Sequence, residues 1–433
     1  MKNALTVNLI GLGYIGLPTA AIMAQAGIKV VGTDISAHVC ETINRREIHI
    51  QEPGLQELVE SAVASGLLSA QTEPAEADVF MIAVPTPFIT DLNATIPHRA
   101  DMSYVNSATA SIAKVLKAGD LVLLESTSPV RATEDMVKLL SELRPDLTFP
   151  VNGCSDDADV FVAYCPERIL PGRALEELVS NDRLCGGLNP SSAAKAKAFY
   201  ELFVRGECVA CDARSAELAK LAENSFRDVN IAFANELSMI ADYHGVDSWN
   251  LISMVNRHPR VNVLQPGCGV GGHCIAIDPW FIVAGASEQS PLIRQARLVN
   301  DSKPRWVAQK VIERAAELSH AQGKDVEQLK VAVYGMAFKP DIDDMRESPA
   351  IEVINLLAEY APNVELQVYE PFWHKDELPN AVKNPYAKRG RSELTSLPEA
   401  DLHVFLVGHT VLKKVADHSN PNHLVFAWGP QAR

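Results

Sequence analysis

The chain has 433 residues, 39 Lys+Arg against 54 Asp+Glu for a net charge of −15, and 8 cysteines. With 47% hydrophobic and 21% charged residues it is a folded globular protein rather than a disordered one. The acidic balance argues against nucleic acid or an anionic membrane as the main partner, and the cysteines are too sparse for a disulfide-stapled secreted scaffold.

At roughly 150 residues per domain the length predicts two or three domains. Residues 1–27 imitate a secretory signal, down to Ala24-Gln25-Ala26, but Lys2 is the only positive charge ahead of them and glycines interrupt the run. They read better as a strand (5–10), a tight glycine turn and a helix (14–26). No apolar run approaches the roughly 20 residues that span a bilayer, so a cytoplasmic protein is expected. Strands are predicted at 29–33, 79–84, 121–125 and 159–164, with helices such as 54–65 and 104–116 between them. Residues 88–99 are polar without period and read as a surface loop. One long helix is predicted over 215–244, with Ser215 as N-cap and Gly245 as its stop. Helices 249–256 and 292–318 follow, and 321–324 reads as a linker. A second βαβ pattern then begins, with strand 329–334, helix 348–360, and strands 365–369 and 401–407. The expected fold is α/β, two Rossmann-like domains (1–211 and 321–433) joined by an all-helical domain (212–320) built on the long helix.

Gly11-Leu12-Gly13-Tyr14-Ile15-Gly16 follows a strand and opens a helix. Gly11 permits the tight turn, Gly13 lets the backbone approach a pyrophosphate, and Gly16 lets helix pack on sheet. Asp34 ends the next strand, where a carboxylate binds ribose hydroxyls. No Arg or Lys follows closely to receive a 2′-phosphate, so NAD is expected rather than NADP. Pro85-Thr86-Pro87 ends a buried strand at its carboxyl edge, where ligands bind in open α/β sheets, and forms a rigid floor beside the cofactor.

Cys208 and Cys211 form a C-x-x-C, but a zinc site would need a second such pair, and no metal is expected. Cys40, Cys154, Cys185, Cys208 and Cys211 read as small core residues, and Cys165 and Cys268 as structural. Cys274 ends a stretch from Gly267 with four glycines in eight positions, beside His273 and shortly before Asp278. From that segment alone a reactive thiol and a buried inert one stay equally open.

Read together, the blocks at 11–20, 83–88, 125–130, 164–172, 220–236, 256–281 and 335–350 resemble the UDP-glucose/GDP-mannose dehydrogenase family over essentially the whole chain. The resemblance implies an NAD-binding first domain, a central dimerisation and catalytic domain, and a UDP-sugar-binding last domain. It implies oxidation of a sugar C6 alcohol to a carboxylate in two NAD-dependent steps, with Cys274 attacking the aldehyde and forming a thioester. Lys220 and Asn224, at i and i+4 on the long helix, would stabilise the developing oxyanion; a solvated lysine and a surface asparagine is the commoner fate of such a pair, which the resemblance overrides. Asp278 and Glu167 would handle proton transfers and orient the hydrolytic water, and Thr127 would help hold that water and line the cofactor site with Tyr14, Ile15, Pro85 and Thr86. Arg257, His258 and Arg260 would form a basic pocket for the nucleotide-sugar, joined by Glu167, Arg168, Lys220, Asn224, Gly271, Phe338, Lys339 and Arg346.

Leu170-Pro171-Gly172 and the absence of a lysine before Asp278 depart from the UDP-glucose pattern and point to the N-acetylhexosamine branch. UDP-N-acetyl-D-mannosamine is the leading substrate, for surface polysaccharide synthesis, with UDP-N-acetylglucosamine and UDP-N-acetylgalactosamine as alternatives. A homodimer through the central helical domain is implied as well. A non-catalytic nucleotide-binding protein with structural zinc is the remaining alternative.

Overall fold

The computed structural model describes residues 5–91, 96, 98–150, 157–169, 172–272, 274–390 and 396–429. Cys154, Leu170, Pro171 and His273 lie outside them. The chain divides into two compact units, one up to Glu223 and one from Asn224.

The first unit is built on strands β1 (Thr6–Ile10), β2 (Lys29–Thr33), β3 (Leu68–Gln71) and β4 (Val79–Ile82), the short pair β5 (Phe88–Thr90) and β6 (His98–Ala100), then β7 (Leu121–Leu124), β8 (Phe161–Tyr164), β9 (Arg183–Gly187) and β10 (Cys208–Asp212). Between them run α1 (Gly16–Gln25), α2 (Ala37–Asn44), α3 (Leu55–Ala64), α4 (Ser103–Ala113), α5 (Ala132–Leu143), α6 (Ala174–Ser180) and α7 (Pro190–Tyr200). The main sheet has the order β10-β9-β8-β7-β4-β1-β2-β3. The strands VFMI and LVLL at its centre are buried throughout, because helices cover both faces of a parallel sheet and leave no solvent side for polar alternation. Leu9, Leu17 and Met81 pack on one face, and Phe80, Ile112 and Val122 on the other.

One join breaks the parallel rule: β9 runs antiparallel to β8, pairing Ala163 with Gly187 and Tyr164 with Gly186. The reversal brings the first residue of β9 to the end of the sheet where β7 and β8 finish. The predicted loop over 88–99 instead contains the antiparallel pair β5–β6, where Phe88, Ile89 and Thr90 face Ala100, Arg99 and His98. Each strand has only three residues, too short for a period to show in the sequence.

Helix α8 (Ala213–Tyr243) starts two residues before the predicted N-cap. Asp212 takes the capping role, its carboxylate accepting from Ser215 N at 2.9 Å and Ser215 Oγ at 2.6 Å. Gly245, at φ +66°, stands just past the helix as expected. The second unit continues with α9 (Ser248–Val255), α10 (Asp278–Gly285) and α11 (Pro291–Gln322). The segment read as a linker begins inside α11, which ends at Gly323 in the left-handed conformation. Beyond it lie β11 (Val331–Tyr334), α12 (Pro349–Tyr360), β12 (Leu366–Tyr369), β13 (Ala387–Arg389), β14 (Leu402–Phe405) and β15 (His423–Val425), in a parallel sheet of order β13-β12-β11-β14-β15. Val331, Val333, Val368 and Val404 pack there against Ile351 and Ile354 of α12 and Val311 of α11. Two sheets, parallel apart from the β8–β9 join, with a helical stretch between them in the chain are the expected α/β fold class.

Candidate active site

In the first unit the glycine turn joins β1 to α1. Gly11 has φ +95°, and a Cβ there would stand 2.6 Å from the Ala83 carbonyl oxygen. At Gly16 a Cβ would collide with the Gly11 carbonyl. Nothing lies within 4 Å of a Cβ at Gly13, so this exposed turn is open to a ligand at the N-terminus of α1. Asp34 closes the arrangement: Oδ2 accepts from Leu12 N at 3.0 Å and Oδ1 from Ser36 N at 2.9 Å. Each oxygen keeps a lone pair for a ribose hydroxyl. Tyr14 is exposed, Ile15 and Thr86 half-buried and Pro85 exposed, so all four are accessible along this edge. The residues present fit a dinucleotide.

Glu167 lies just beyond β8 and is buried. Its Oε1 accepts from Arg168 N at 2.6 Å, while Arg183 Nη2 approaches Oε2 to 2.7 Å, an ion pair without hydrogen-bond alignment. Arg168 turns away, pairing with Glu223 at 2.8 Å and donating to the Asp182 carbonyl. Thr127 is half-buried in the loop after β7. That loop is tied to α8 by the buried carboxylate of Glu217, which accepts from Arg131 N at 2.6 Å, Thr133 N at 2.9 Å and Thr133 Oγ1 at 2.7 Å. Glu217 stands three residues before the half-buried Lys220.

Asn224 is one helical turn past Lys220 on α8. Within the second unit its Nδ2 donates to Asp278 Oδ2 at 2.6 Å. Asp278 is buried as the first residue of α10, and its backbone N donates to the Cys274 carbonyl at 2.9 Å. Cys274, Asp278 and Asn224 therefore form one construction. Cys274 is exposed, whereas Cys40, Cys165, Cys185, Cys208 and Cys268 are buried and Cys211 is half-buried.

The glycines leading to Cys274 have a use that the sequence did not suggest. A Cβ on Gly269 would stand 2.8 Å from Pro349, one on Gly271 2.3 Å from the Glu347 carbonyl, and one on Gly272 2.8 Å from the Phe338 ring. They seat the loop on the segment from Phe338 to Pro349, in addition to any approach to substrate. Lys339 is half-buried within that segment, and the Arg346 guanidinium is held by Asp344, with Nε 2.9 Å from Oδ1. Arg257, His258 and Arg260 lie on an exposed turn after α9, where Arg260 N donates to His258 Nδ1 at 3.4 Å. They share one exposed turn of this unit.

Models of the UDP-glucose/GDP-mannose dehydrogenase family match the chain three times: the NAD binding domain over residues 5–204, the central domain over 214–302 and the UDP binding domain over 332–426. The chain belongs to this family. As a UDP-glucose/GDP-mannose dehydrogenase family member it is an oxidoreductase with NAD as cofactor and a nucleotide-sugar as substrate. It is 53% identical over 410 residues to the UDP-N-acetyl-D-mannosamine dehydrogenase of Yersinia pestis, covering 95% of each chain. To an NDP-N-acetyl-D-galactosaminuronic acid dehydrogenase of Ralstonia nicotianae it is 50% identical, over 95% of this chain and 92% of the other. The solved UDP-N-acetyl-mannosamine dehydrogenase from S. aureus matches with a TM-score of 0.78 at 38% identity, over 96% of this chain and 92% of that one.

Sequence reasoning missed Arg183, which pairs with Glu167, and the Glu125 and Tyr200 that contact Arg183. For two of them the signal was there: a charged residue closing one apolar strand run, LVLLE, and opening another, RLCGG.

Proposed function

We propose that this dehydrogenase converts UDP-N-acetyl-D-mannosamine, two NAD and one water into UDP-N-acetyl-D-mannosaminuronate and two NADH with release of protons, supplying surface polysaccharide synthesis. The observation that carries this is Cys274, the exposed thiol among the described cysteines, built onto the Asn224–Asp278 pair. The names of the relatives at 53% and 38% identity support the choice of sugar. NAD, held by Gly11, Gly13, Tyr14, Ile15, Gly16, Asp34, Pro85, Thr86 and Thr127, supplies hydride acceptance at both oxidations.

The chain's own residues do the rest. One Nδ2 proton of Asn224 is committed to Asp278, which leaves the other, with the Lys220 ammonium, for the developing oxyanion. The Cys274 thiolate adds to the aldehyde carbon, and loss of hydride from the resulting thiohemiacetal leaves a thioester. Glu167 takes a proton from the hydrolytic water, steadied by Thr127, as that water attacks the thioester and the thiolate leaves. Arg168, Arg257, His258, Arg260, Gly271, Phe338, Lys339 and Arg346 bind the nucleotide-sugar.

Residues 1–211 form the cofactor domain, 212–320 the central domain and 321–433 the UDP-sugar domain. The exposed Phe226, Phe233 and Ile240 of α8 support a homodimer through that helix. Among the described residues no helix is long and apolar enough to cross a membrane, which accords with action in the cytoplasm.

Purified protein offered NAD and a panel of UDP-hexoses tests the reading. Two NADH per UDP-N-acetyl-D-mannosamine and little with UDP-glucose are expected. One NADH with release of free aldehyde would refute the thioester route, and preferred turnover of UDP-N-acetylglucosamine or UDP-N-acetylgalactosamine would reassign the sugar.

A further inference from the structure

Four residues far apart in sequence meet at the carboxyl end of the first sheet. Arg183 is buried, and its guanidinium lies between two buried carboxyls: Nη1 donates to Glu125 Oε1 at 3.2 Å and Nη2 lies 2.7 Å from Glu167 Oε2. Tyr200 of α7 donates its hydroxyl to the same Glu125 oxygen at 2.7 Å, and the Arg183 guanidinium carbon sits 4.8 Å from the Tyr200 ring centroid. The antiparallel join of β8 and β9 produces the meeting. Continuing its register past Tyr164 and Gly186 sets Cys185 opposite Cys165 and Arg183 opposite Glu167. Glu125, directly after β7, supplies the third side and stands two residues before Thr127.

Burying an ion pair costs desolvation and is a weak route to stability, so a buried arginine that spans two carboxyls needs a further reason. Here one carboxyl belongs to the proposed base, and the other belongs to the loop proposed to hold its water. We infer that Arg183, backed by Glu125 and Tyr200, is a positioning residue that fixes the Glu167 carboxylate against the Thr127 loop for hydrolysis of the thioester. The inference rests on the dehydrogenase reading above and adds residues to it. Only the planar fork of arginine can reach both carboxyls at once; a lysine ammonium is a single point.

The charge balance supports the assignment. Two carboxylates and one guanidinium leave an excess negative charge in a dry site, and Glu125 Oε2 has no hydrogen-bond partner. Burial pushes Glu125 up to about 7, with Glu167 adding to the rise and Arg183 and Tyr200 opposing it. Arg183 and Cys185 from β9, Cys165 and Glu167 from the end of β8 and Tyr200 from α7 are the titratable groups around it. Burial thus pushes the Glu125 carboxyl toward its protonated form, which leaves the Arg183 guanidinium to hold Glu167. When Glu125 ionises, its charge competes for the Arg183 guanidinium and weakens its hold on Glu167.

Arg183→Lys tests the idea with UDP-N-acetyl-D-mannosamine and NAD. Expected are a steady-state kcat lower by about 100-fold with KM little changed, a retained burst of two NADH per subunit, and the acyl adduct on Cys274 accumulating by intact mass. Wild-type kcat, or burst and steady state falling together, would overturn the inference. Glu125→Gln keeps the Arg183–Glu167 pair and covers the case in which Arg183→Lys does not fold; it is expected to remove the limb near pH 7 from the kcat profile, and an unchanged limb counts against the inference. If wild-type protein itself forms no NADH from UDP-N-acetyl-D-mannosamine, the dehydrogenase reading fails and takes this inference with it, a result distinct from a defect confined to the variants.

Discussion

At the scale of single residues, Asp278 joins the nucleophile loop to the long helix. Its carboxylate holds Asn224, its own N–H binds the Cys274 carbonyl, and as the first residue of α10 it places negative charge at the positive end of the helix dipole. Asp278→Asn keeps the shape but removes the charge. Urea unfolding should show a loss of about 1 kcal/mol from the weakened helix terminus and charge-assisted bond, and turnover should fall because Asn224 loses its anchor. NAD binding, measured by fluorescence titration, should not change, since the cofactor residues belong to the first unit and Asp278 to the second. Asp278 was legible as a site residue, but its partner was not: the sequence allotted Asn224 only to the oxyanion, whereas the fold brings position 278 to it.

At the scale of elements, packing and substrate access make different demands on the glycine loop. An alanine at Gly271 would put its Cβ 2.3 Å from a backbone carbonyl and 2.7 Å from Pro349, neither of which is a flexible side-chain end. At Gly267 the nearest atom is 3.9 Å away. Gly271→Ala should therefore cost about 1–3 kcal/mol and lower Tm, while Gly267→Ala should be close to neutral in the same thermal melt. The long helices and central strands were legible because their apolar runs are long. Strands β5, β6 and β13, three residues each, leave no periodic trace. The start of α8 was misplaced because serine and aspartate are both good N-caps, and only the bond from Ser215 N to Asp212 decides between them.

At the scale of the whole molecule, two buried groups in different units set opposing pH dependences. Glu125 moves from an ordinary 4.5 to about 7 through burial, so between those values the folded chain keeps a proton that the unfolded chain has lost, and stability falls as pH rises. Lys303 moves from 10.5 to about 7, also through burial, so the unfolded chain binds the extra proton and stability rises from about pH 7 to 10.5. Unfolding free energies from urea titrations across pH should decline less between 4.5 and 7 in Glu125→Gln and rise less between 7 and 10.5 in Lys303→Met. A wild-type slope in either variant would remove that group from the account.

By itself the sequence determined the two α/β units and the dinucleotide turn with its carboxylate, because each is written in local spacing: apolar runs, and glycines at a strand-to-helix turn. The tertiary structure alone decided what surrounds Glu167. Residues 125, 167, 183 and 200 come together only because β9 runs against β8, and strand direction follows from how the whole sheet closes rather than from any one strand's own residues.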